Sequence, residues 1–330
     1  DGVIAGVGGV VTFLPMIAIL FLFLSILEDS GYMARAAFVM DRTLRHFGLS
    51  GKAFIPLLMG FGCTVPAVMG ARTMENEKDR RMTIMLIPFM SCSARLPIYG
   101  LLVSAFFPGN RALIVISLYL IGICLAILSG LILKRSVFRG EAAPFLLELP
   151  PYRMPTVRNV GTHVWEKVKD FLSRAATLIL AMSVVLWLLQ SFTLHGQYTT
   201  DVSQSLLAAL GSTIAPLFLP CGFGVWQAAV ALLTGLIAKE AVVSSMSLFY
   251  GFSLTASGAA VALALGGTFT PVAAYAFLVF CALYTPCVAA IATIRREMGD
   301  IKWTLACLGW QLGIAYLASM LVYQIGSLLF

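Results

Sequence analysis

The stretch GFGCTVPAVMGARTMENEKDRR, from Gly60 to Arg81, decides the fold of this chain. It begins as apolar sequence, holds Cys63 and Pro66 among several glycines, and ends in a run of charged residues. Gly and Pro interrupt helices, and lipid tolerates an interrupted helix only where neighbouring protein or a watery cavity satisfies the freed backbone groups. The stretch therefore predicts a broken membrane helix that faces a packed interior or a pathway.

The composition of the whole chain is that of a membrane protein. Of its 330 residues, 60% are hydrophobic and only 11% are charged, whereas soluble domains are about 25% charged. Apolar runs long enough to cross roughly 30 Å of hydrocarbon recur along the chain. They cover residues 10–27, 112–133, 172–192, 271–294 and 303–330. We therefore predict an all-α, polytopic membrane protein.

The chain start and the cysteines add two expectations. The first residue is Asp1 and no signal-peptide pattern precedes the first apolar run, so we expect a fragment of a longer protein. The seven cysteines show no framework spacing, so we expect free thiols.

Lysine and arginine positions predict the orientation in the membrane. Residues 134–174 contain eight Lys and Arg against four acidic residues, and 8 − 4 gives +4. Residues 192–223 contain no Lys or Arg. The first segment should be cytoplasmic and the second external, so a cysteine placed at Arg139 should react from the inside and one at Thr200 from the outside. The net charge of +7 then reflects topology and implies no nucleic-acid partner.

Two local patterns lie within the basic segment. The sequence LELPPYRMP favours an extended connector, because a residue before proline avoids the helical region. The sequence VGTHVWEKVKDFLSRA places Val164, Trp165 and Val168 on one helical face, which is typical of a helix in the membrane interface. Such a helix would anchor the orientation, and a docking surface for a cytoplasmic partner is the alternative.

The Pro and Gly clusters indicate an internal duplication. Placing Pro66 on Pro286 also places Glu77 on Glu297 at the same spacing, and paired broken helices in two halves indicate the central site of a transporter. We predict a first membrane repeat at 1–110, a connecting span and basic cytoplasmic loop at 111–170, and a second membrane repeat at 171–330. Whether the repeats are inverted or parallel stays open, and chance similarity of apolar segments is the alternative.

Two adjacent charges, Lys239 and Glu240, lie within the apolar sequence LLTGLIAKEAVVSSM. A charge near mid-bilayer costs at least ~2.5–3.5 kcal/mol, so each needs a partner or a wet cavity. We expect Glu240 to face the interior of the helix bundle in a functional role. The alternative is a structural ion pair with Arg35 or Arg95.

Four longer motifs carry a family resemblance. LEDSGYMARAAFVMDR, GFGCTVPAVMGARTMENEKDRRMTIMLIPFMSCSARLPIYG, LELPPYRMP and LYTPCVAAIATIRREMG resemble the membrane half of the ferrous iron transporter B (FeoB) family, over essentially the whole chain. In that family the two Cys-bearing broken segments are called gate motifs and resemble those of nucleoside transporters. The resemblance implies a nucleoside-transporter-like core with two gate-type repeats and broken or re-entrant helices, in the bacterial cytoplasmic (inner) membrane.

The resemblance also implies a function and a site. It places Cys63 in the first gate motif, Cys92 in the following span and Cys287 in the second gate motif. Thiolates are soft ligands and carboxylates hard ones, so together with Glu240 they would suit a borderline ion such as Fe²⁺ carried inward. We expect Cys63 and Cys287 to meet near the membrane centre. The alternative for any one cysteine is a small buried hydrophobe, which we expect for Cys124, Cys221, Cys281 and Cys307.

The family's GTP-binding module has no counterpart here, because the chain contains no G-x-x-x-x-G-K-[ST] loop. We therefore expect no enzyme activity and no stably bound cofactor. The expected partners are Fe²⁺, the lipid bilayer, the GTP-binding domain of the same full-length protein, a small cytoplasmic protein and further copies of the chain. An ion-coupled transporter of a nucleoside-like solute or of another divalent metal is the alternative. An intramembrane enzyme is disfavoured because the three His form no H-E-x-x-H motif.

Overall fold

A computed structural model shows how these patterns fold. It describes residues 2–138, 154–173, 177–193, 197–198, 202–253 and 258–329. Most of the predicted Pro-rich connector, residues 147–153, lies outside the described residues. The two labelling positions, Arg139 and Thr200, lie outside them as well.

The described residues form sixteen α-helices and no β-strand, with one isolated bridge between Phe192 and Tyr198. This confirms the predicted all-α class. The helices are α1 Gly2–Asp29, α2 Tyr32–His46, α3 Phe54–Gly62, α4 Thr64–Gly70, α5 Glu77–Leu86, α6 Leu96–Phe106, α7 Arg111–Ser136, α8 Val157–Phe171, α9 Thr177–Ser191, α10 Leu206–Ile214, α11 Trp226–Ile237, α12 Ala241–Tyr250, α13 Gly258–Leu265, α14 Pro271–Leu283, α15 Val288–Met298 and α16 Ile301–Leu329.

Several helices are long and apolar enough to span a membrane. Within the described part of the chain, four segments pass this test: Glu77–Phe106, Arg111–Ser136, Pro271–Met298 and Ile301–Leu329. A fifth would be the pair Leu206–Cys221 and Trp226–Ile237, which is bent by 104°. The long helices α7 and α16 expose leucines such as Leu120 and Leu321, as side chains in contact with lipid would be. The chain is a multi-pass membrane protein.

The predicted interface helix is present as α8, Val157–Phe171. Val160 and Val168 are buried, whereas the Trp165 side chain is 68% exposed. Lys167 Nζ lies 2.8 Å from a Glu28 carboxylate oxygen at the end of α1. Trp165 and Val168, predicted to share one face, thus differ in burial, and the location of α8 in the membrane interface stays a prediction.

Contacts divide the chain into two compact units. Unit 1 comprises Asp1–Met90, Leu125–Ser183 and Ala289–Ile301. In its core, α3 and α4 pack closely together and against the turn Ile87–Phe89. The fully buried residues there include Ala67, Val68, Ala71, Ile84 and Ile87.

Unit 2 comprises Ser91–Cys124, Val184–Val288 and Lys302–Phe330. Its centre is α14, from which Ala276 to Leu283 are all buried. An aromatic cluster surrounds this helix, with Phe223 5.2 Å from Phe277 and Phe280 5.4 Å from Tyr284 between ring centroids. A helix that is apolar on all sides belongs in the interior of a large protein, and α14 takes that position.

The duplicated pattern appears as two interrupted helices. In the first half α3 is followed by a break at Cys63 and then by α4. In the second half α14 is followed by a break at residues 284–287 and then by α15. Both units draw residues from both halves, and the boundaries 1–110, 111–170 and 171–330 stay a prediction.

Candidate functional site

The first break consists of a single extended residue, Cys63. Its backbone angles are φ −150° and ψ 132°, while the residues on either side are helical. The Cys63 N–H donates to the Met59 carbonyl at 3.0 Å, and the Cys63 carbonyl accepts from the Ala67 N–H at 3.3 Å. The side chain is half-buried. Pro66 lies in the first turn of α4, which begins at Thr64, and its missing N–H removes no helical hydrogen bond there.

The glycines beside this break allow close packing. A Cβ atom on Gly60 would lie 3.1 Å from Met90 Cβ and 3.3 Å from the Ile87 carbonyl oxygen. A Cβ atom on Gly62 would lie 2.6 Å from a Leu20 methyl group. Gly60 and Gly62 therefore form the tight interhelical contact that a glycine-rich segment permits.

The second break exposes the carboxyl end of a buried helix. The last bond of α14 runs from the Tyr284 N–H to the Phe280 carbonyl at 2.8 Å. Residues 285–287 then extend to the start of α15, and Pro286 has no N–H to continue the helix. Tyr284 and Thr285 are buried and Cys287 is half-buried.

Arg95 binds the end of α14. Its guanidinium donates to the Ala282 carbonyl and, at 3.4 Å, to the Tyr284 carbonyl. The residue is only 2% exposed. Cations are stabilised at the carboxyl end of a helix, where the last carbonyls carry partial negative charge. The sequence offered an ion pair of Glu240 with Arg35 or Arg95 as an alternative, whereas these bonds of Arg95 make it a cap for α14.

Lys239 reaches the same break from another helix pair. It lies between α11 and α12, where Ala238 is extended at φ −142° and ψ 129°. Lys239 Nζ donates to the Thr285 carbonyl at 2.7 Å and lies 3.1 Å from the Tyr284 ring centroid. With 3% exposure, this ammonium is among the most buried charges that the structure describes.

Three thiols lie in the same region of unit 2. Cys92, Cys281 and Cys287 each interact electrostatically with Lys239 and with Tyr284. Cys92 and Cys287 are half-buried, whereas Cys281 is fully buried within α14. The structure thus brings two of the predicted site cysteines, Cys92 and Cys287, into one region of unit 2.

Glu240 lies directly before α12 and is half-buried. Its main-chain carbonyl accepts from Val243 N–H at 3.0 Å and from Ser244 N–H at 3.4 Å. Its neighbour Lys239 is fully enclosed, so the two adjacent charges differ in their surroundings.

The predicted site residues belong to both units. Cys63 belongs to unit 1, whereas Cys92, Cys287 and Glu240 belong to unit 2, and the expected meeting of Cys63 with Cys287 stays a prediction. Across the described ranges, no three His, Cys, Asp or Glu side chains converge closely enough to hold a metal ion together.

The sequence pointed to the broken segments but missed what binds to the second one. Arg95 is 187 positions from Ala282, and Lys239 is 46 positions from Thr285. The available signal was the presence of basic residues inside apolar runs, because such residues are buried only with partners. The identity of those partners depends on tertiary contacts.

Known families match the chain in three blocks. A family named Gate and described as nucleoside recognition matches residues 10–106 and 172–301. A family described as the C terminus of ferrous iron transport protein B matches residues 115–167. No solved structure matches the chain.

Curated relatives match along almost the entire chain. The Fe(2+) transporter FeoB of Staphylococcus aureus (strain COL) is 47% identical over 328 residues, which cover 99% of this chain and 49% of the relative. The Fe(2+) transporter FeoB of Methanocaldococcus jannaschii is 42% identical over 337 residues, covering 100% of this chain and 50% of the relative.

A third relative carries an additional part. The "Fe(2+) transport protein A/Fe(2+) transporter FeoB fusion protein" of Porphyromonas gingivalis is 41% identical over 374 residues, covering 100% of this chain and 44% of the relative. The chain spans about half the length of these curated relatives. The two parts of the Gate match lie on either side of the FeoB-specific block and together cover more than half of the chain. The apolar helices are those of a multi-pass inner-membrane protein. The chain therefore belongs to the ferrous iron transporter B family and corresponds to the membrane (gate) domain of its members.

Proposed function

We propose that this chain carries Fe²⁺ inward across the cytoplasmic membrane, along a path lined by Cys63, Cys92, Cys287 and Glu240. One observation carries the proposal beyond the names of the relatives. Each of these four residues lies at a backbone break and directly precedes a helical segment, namely α4, the turn Ser93–Arg95, α15 and α12. Discontinuous helices are where membrane transporters form their substrate sites.

The other cysteines have a different backbone setting. Cys281 and Cys307 are buried within the continuous helices α14 and α16, as small apolar side chains commonly are. Cys124 lies within the continuous helix α7 but is exposed, so the expected burial of Cys124 is wrong. Cys221 ends a short helical segment and is fully buried. The position relative to a break therefore separates the four proposed ligands from the remaining cysteines.

The chemistry of the proposed ligands suits a borderline divalent ion. Sulfur ligands favour softer ions and the Glu240 carboxylate favours harder ones, so the set admits Fe²⁺ but does not by itself reject Zn²⁺ or Mn²⁺. Conduction requires binding that is favourable enough for entry and weak enough for release. Ligands spread along a path meet that requirement better than one closed site.

The partners of the chain are also part of the proposal. The chain spans about half the length of its relatives, and we propose as its partner the GTP-binding domain of the full-length protein that the family resemblance implies. The relative from Porphyromonas gingivalis is named as a fusion with Fe(2+) transport protein A, which supports a small cytoplasmic partner here. Assembly with further copies of the chain stays a prediction.

Uptake into sealed vesicles tests the function. The full-length protein and this chain alone are reconstituted separately, and entry of Fe²⁺, Zn²⁺, Mn²⁺ and adenosine is measured with and without GTP. We expect Fe²⁺ uptake above that of empty vesicles, with the GTP effect confined to the full-length protein. Uptake of adenosine but not of Fe²⁺ would instead support the nucleoside alternative, to which the description of the Gate family corresponds.

A further inference from the structure

The ammonium of Lys239 is held as a bound cation would be. It lies 2.7 Å from the Thr285 carbonyl oxygen and 3.1 Å from the centroid of the Tyr284 ring. Carbonyl oxygens replace the hydration shell of ions in channels, and the faces of aromatic rings attract cations. The groups around Lys239 Nζ are therefore of the kinds that recognise a cation without its water.

Helix capping alone does not account for this lysine. Arg95 already donates to the Ala282 and Tyr284 carbonyls at the end of α14. Thr285 lies beyond Leu283, the last residue of that helix. A second buried cation beside the first adds repulsion between like charges, so Lys239 needs a further reason to be there.

The same position also offers sulfur. Cys92, Cys281 and Cys287 all interact electrostatically with Lys239. Thiolate sulfur together with an oxygen ligand is a donor set that divalent transition metals use. The ammonium thus occupies a point that offers a carbonyl and an aromatic face, with thiols within the range of electrostatic interaction.

We propose that Thr285, Tyr284 and the neighbouring thiols form a cation site whose resident occupant is the tethered ammonium of Lys239. A divalent ion repels this ammonium and binds there only after Lys239 withdraws. Lys239 therefore acts as a plug on the path and as a residue that determines which ions pass. The effect on transport rests on the proposed function, whereas the existence of the site can be tested by binding alone.

Removing the plug should expose the site to metal. The full chain is purified in detergent and titrated with Co²⁺, whose thiolate complexes absorb in the near ultraviolet. Lys239→Met keeps an unbranched side chain but removes the charge, and we expect it to bind Co²⁺ at least roughly tenfold more tightly than the wild type, with a new thiolate absorption. Cys287→Ser in that background should abolish the absorption, and Lys239→Arg should match the wild type.

A second lysine provides a matched control. Lys134 Nζ lies 3.5 Å from the Arg45 and His46 carbonyls at the end of α2, so it contacts main-chain oxygens without the ring and the thiols. Lys134→Met should leave Co²⁺ binding unchanged. Equal Co²⁺ affinity in the wild type and in folded Lys239→Met would overturn the proposal and leave Lys239 as a second helix cap.

The wild type gives an independent test if the variant does not fold. Amine-reactive labelling followed by mass spectrometry should show Lys239 becoming more reactive as Co²⁺ is added, because the metal displaces the ammonium, while the reactivity of Lys134 stays constant. An unreactive Lys239 at every Co²⁺ concentration would also overturn the proposal. If the wild type does not transport Fe²⁺ but Lys239→Met gains Co²⁺ binding, the proposed function is wrong and the cation site still stands.

Discussion

Arg72 and Glu297 form a two-pronged ion pair although they are 225 positions apart in the sequence. Arg72 Nε lies 2.7 Å from each carboxylate oxygen of Glu297, and a terminal guanidinium nitrogen donates as well. Arg72 follows α4 of the first gate segment and Glu297 lies near the end of α15 of the second, both within unit 1. The ion pair thus joins the residues after α4, in the first gate motif, to α15, in the second.

We predict that Arg72→Ala lowers the unfolding free energy of the chain by about 1–3 kcal/mol, because a charge-assisted hydrogen bond is lost. The Glu297 side chain is only 7% exposed, so its carboxylate would stay buried without a strong partner. Thermal unfolding in detergent measures the loss. Lys52→Ala is the control, since its partner Glu75 is 89% exposed and such surface pairs contribute about 0–1 kcal/mol. Equal losses in the two variants would show that the Arg72–Glu297 pair is not structural.

Arg95 should not be replaceable by lysine. One ammonium cannot reproduce the fork that reaches both the Ala282 and Tyr284 carbonyls. Arg95→Lys should therefore lower the unfolding free energy by about 1–3 kcal/mol, the range for a buried acceptor left without its bond. Arg45→Lys keeps the positive charge on a side chain that is 41% exposed and pairs with Asp41, and should stay within about 0.5 kcal/mol of the wild type. A fully stable Arg95→Lys would contradict the capping role.

Two helical glycines give opposite predictions for the same substitution. A Cβ atom on Gly235 in α11 would clash with the Tyr284 hydroxyl and with a Val242 methyl, whereas one on Gly100 in α6 would meet nothing within 4 Å. Gly235→Ala should destabilise by about 1–3 kcal/mol. Gly100→Ala should stabilise by up to about 1 kcal/mol, because alanine favours the helix. Melting temperatures measured side by side check both, and an unharmed Gly235→Ala would show that α11 does not approach Tyr284 closely.

Glu240→Gln should impair Fe²⁺ uptake while leaving insertion and folding unchanged, because the amide keeps the shape of the side chain and removes the charge of the ligand. Uptake per inserted molecule is the quantity to compare. The half-buried position of Glu240 at the break before α12 makes a large change in stability unexpected. Undiminished uptake would reduce Glu240 to a structural residue.

The fold was largely readable from the sequence because lipid restricts what a chain can do. Long apolar runs must become helices, since only helices satisfy their own backbone groups in hydrocarbon, and the run 112–133 appears as α7, Arg111–Ser136. Proline and glycine likewise marked the interrupted helices. The exact residue of the first break was not predictable from Pro66, because a proline can start a helix as well as end one, and the break falls at Cys63.

The candidate site could be predicted only in part, because its charges are satisfied by distant backbone. The sequence placed Lys239 in an apolar run and required a partner or a wet cavity, but it did not identify the partner. The contacts of Lys239 in the structure are the Thr285 carbonyl and the Tyr284 ring. Every residue has a carbonyl, so no sequence pattern marks the one that a particular lysine will reach.

The most direct test of the proposed path is Fe²⁺ uptake into vesicles by the full-length protein with Cys92 and Cys287 both changed to serine. Serine keeps the size but replaces a soft ligand with a weak hard one. Uptake per inserted molecule should fall at least roughly tenfold, as expected when soft ligands are lost from a path for a borderline ion. Cys124→Ser, which alters an exposed cysteine within α7, should transport as the wild type does. Full Fe²⁺ uptake by the double serine variant would contradict a path lined by these thiols.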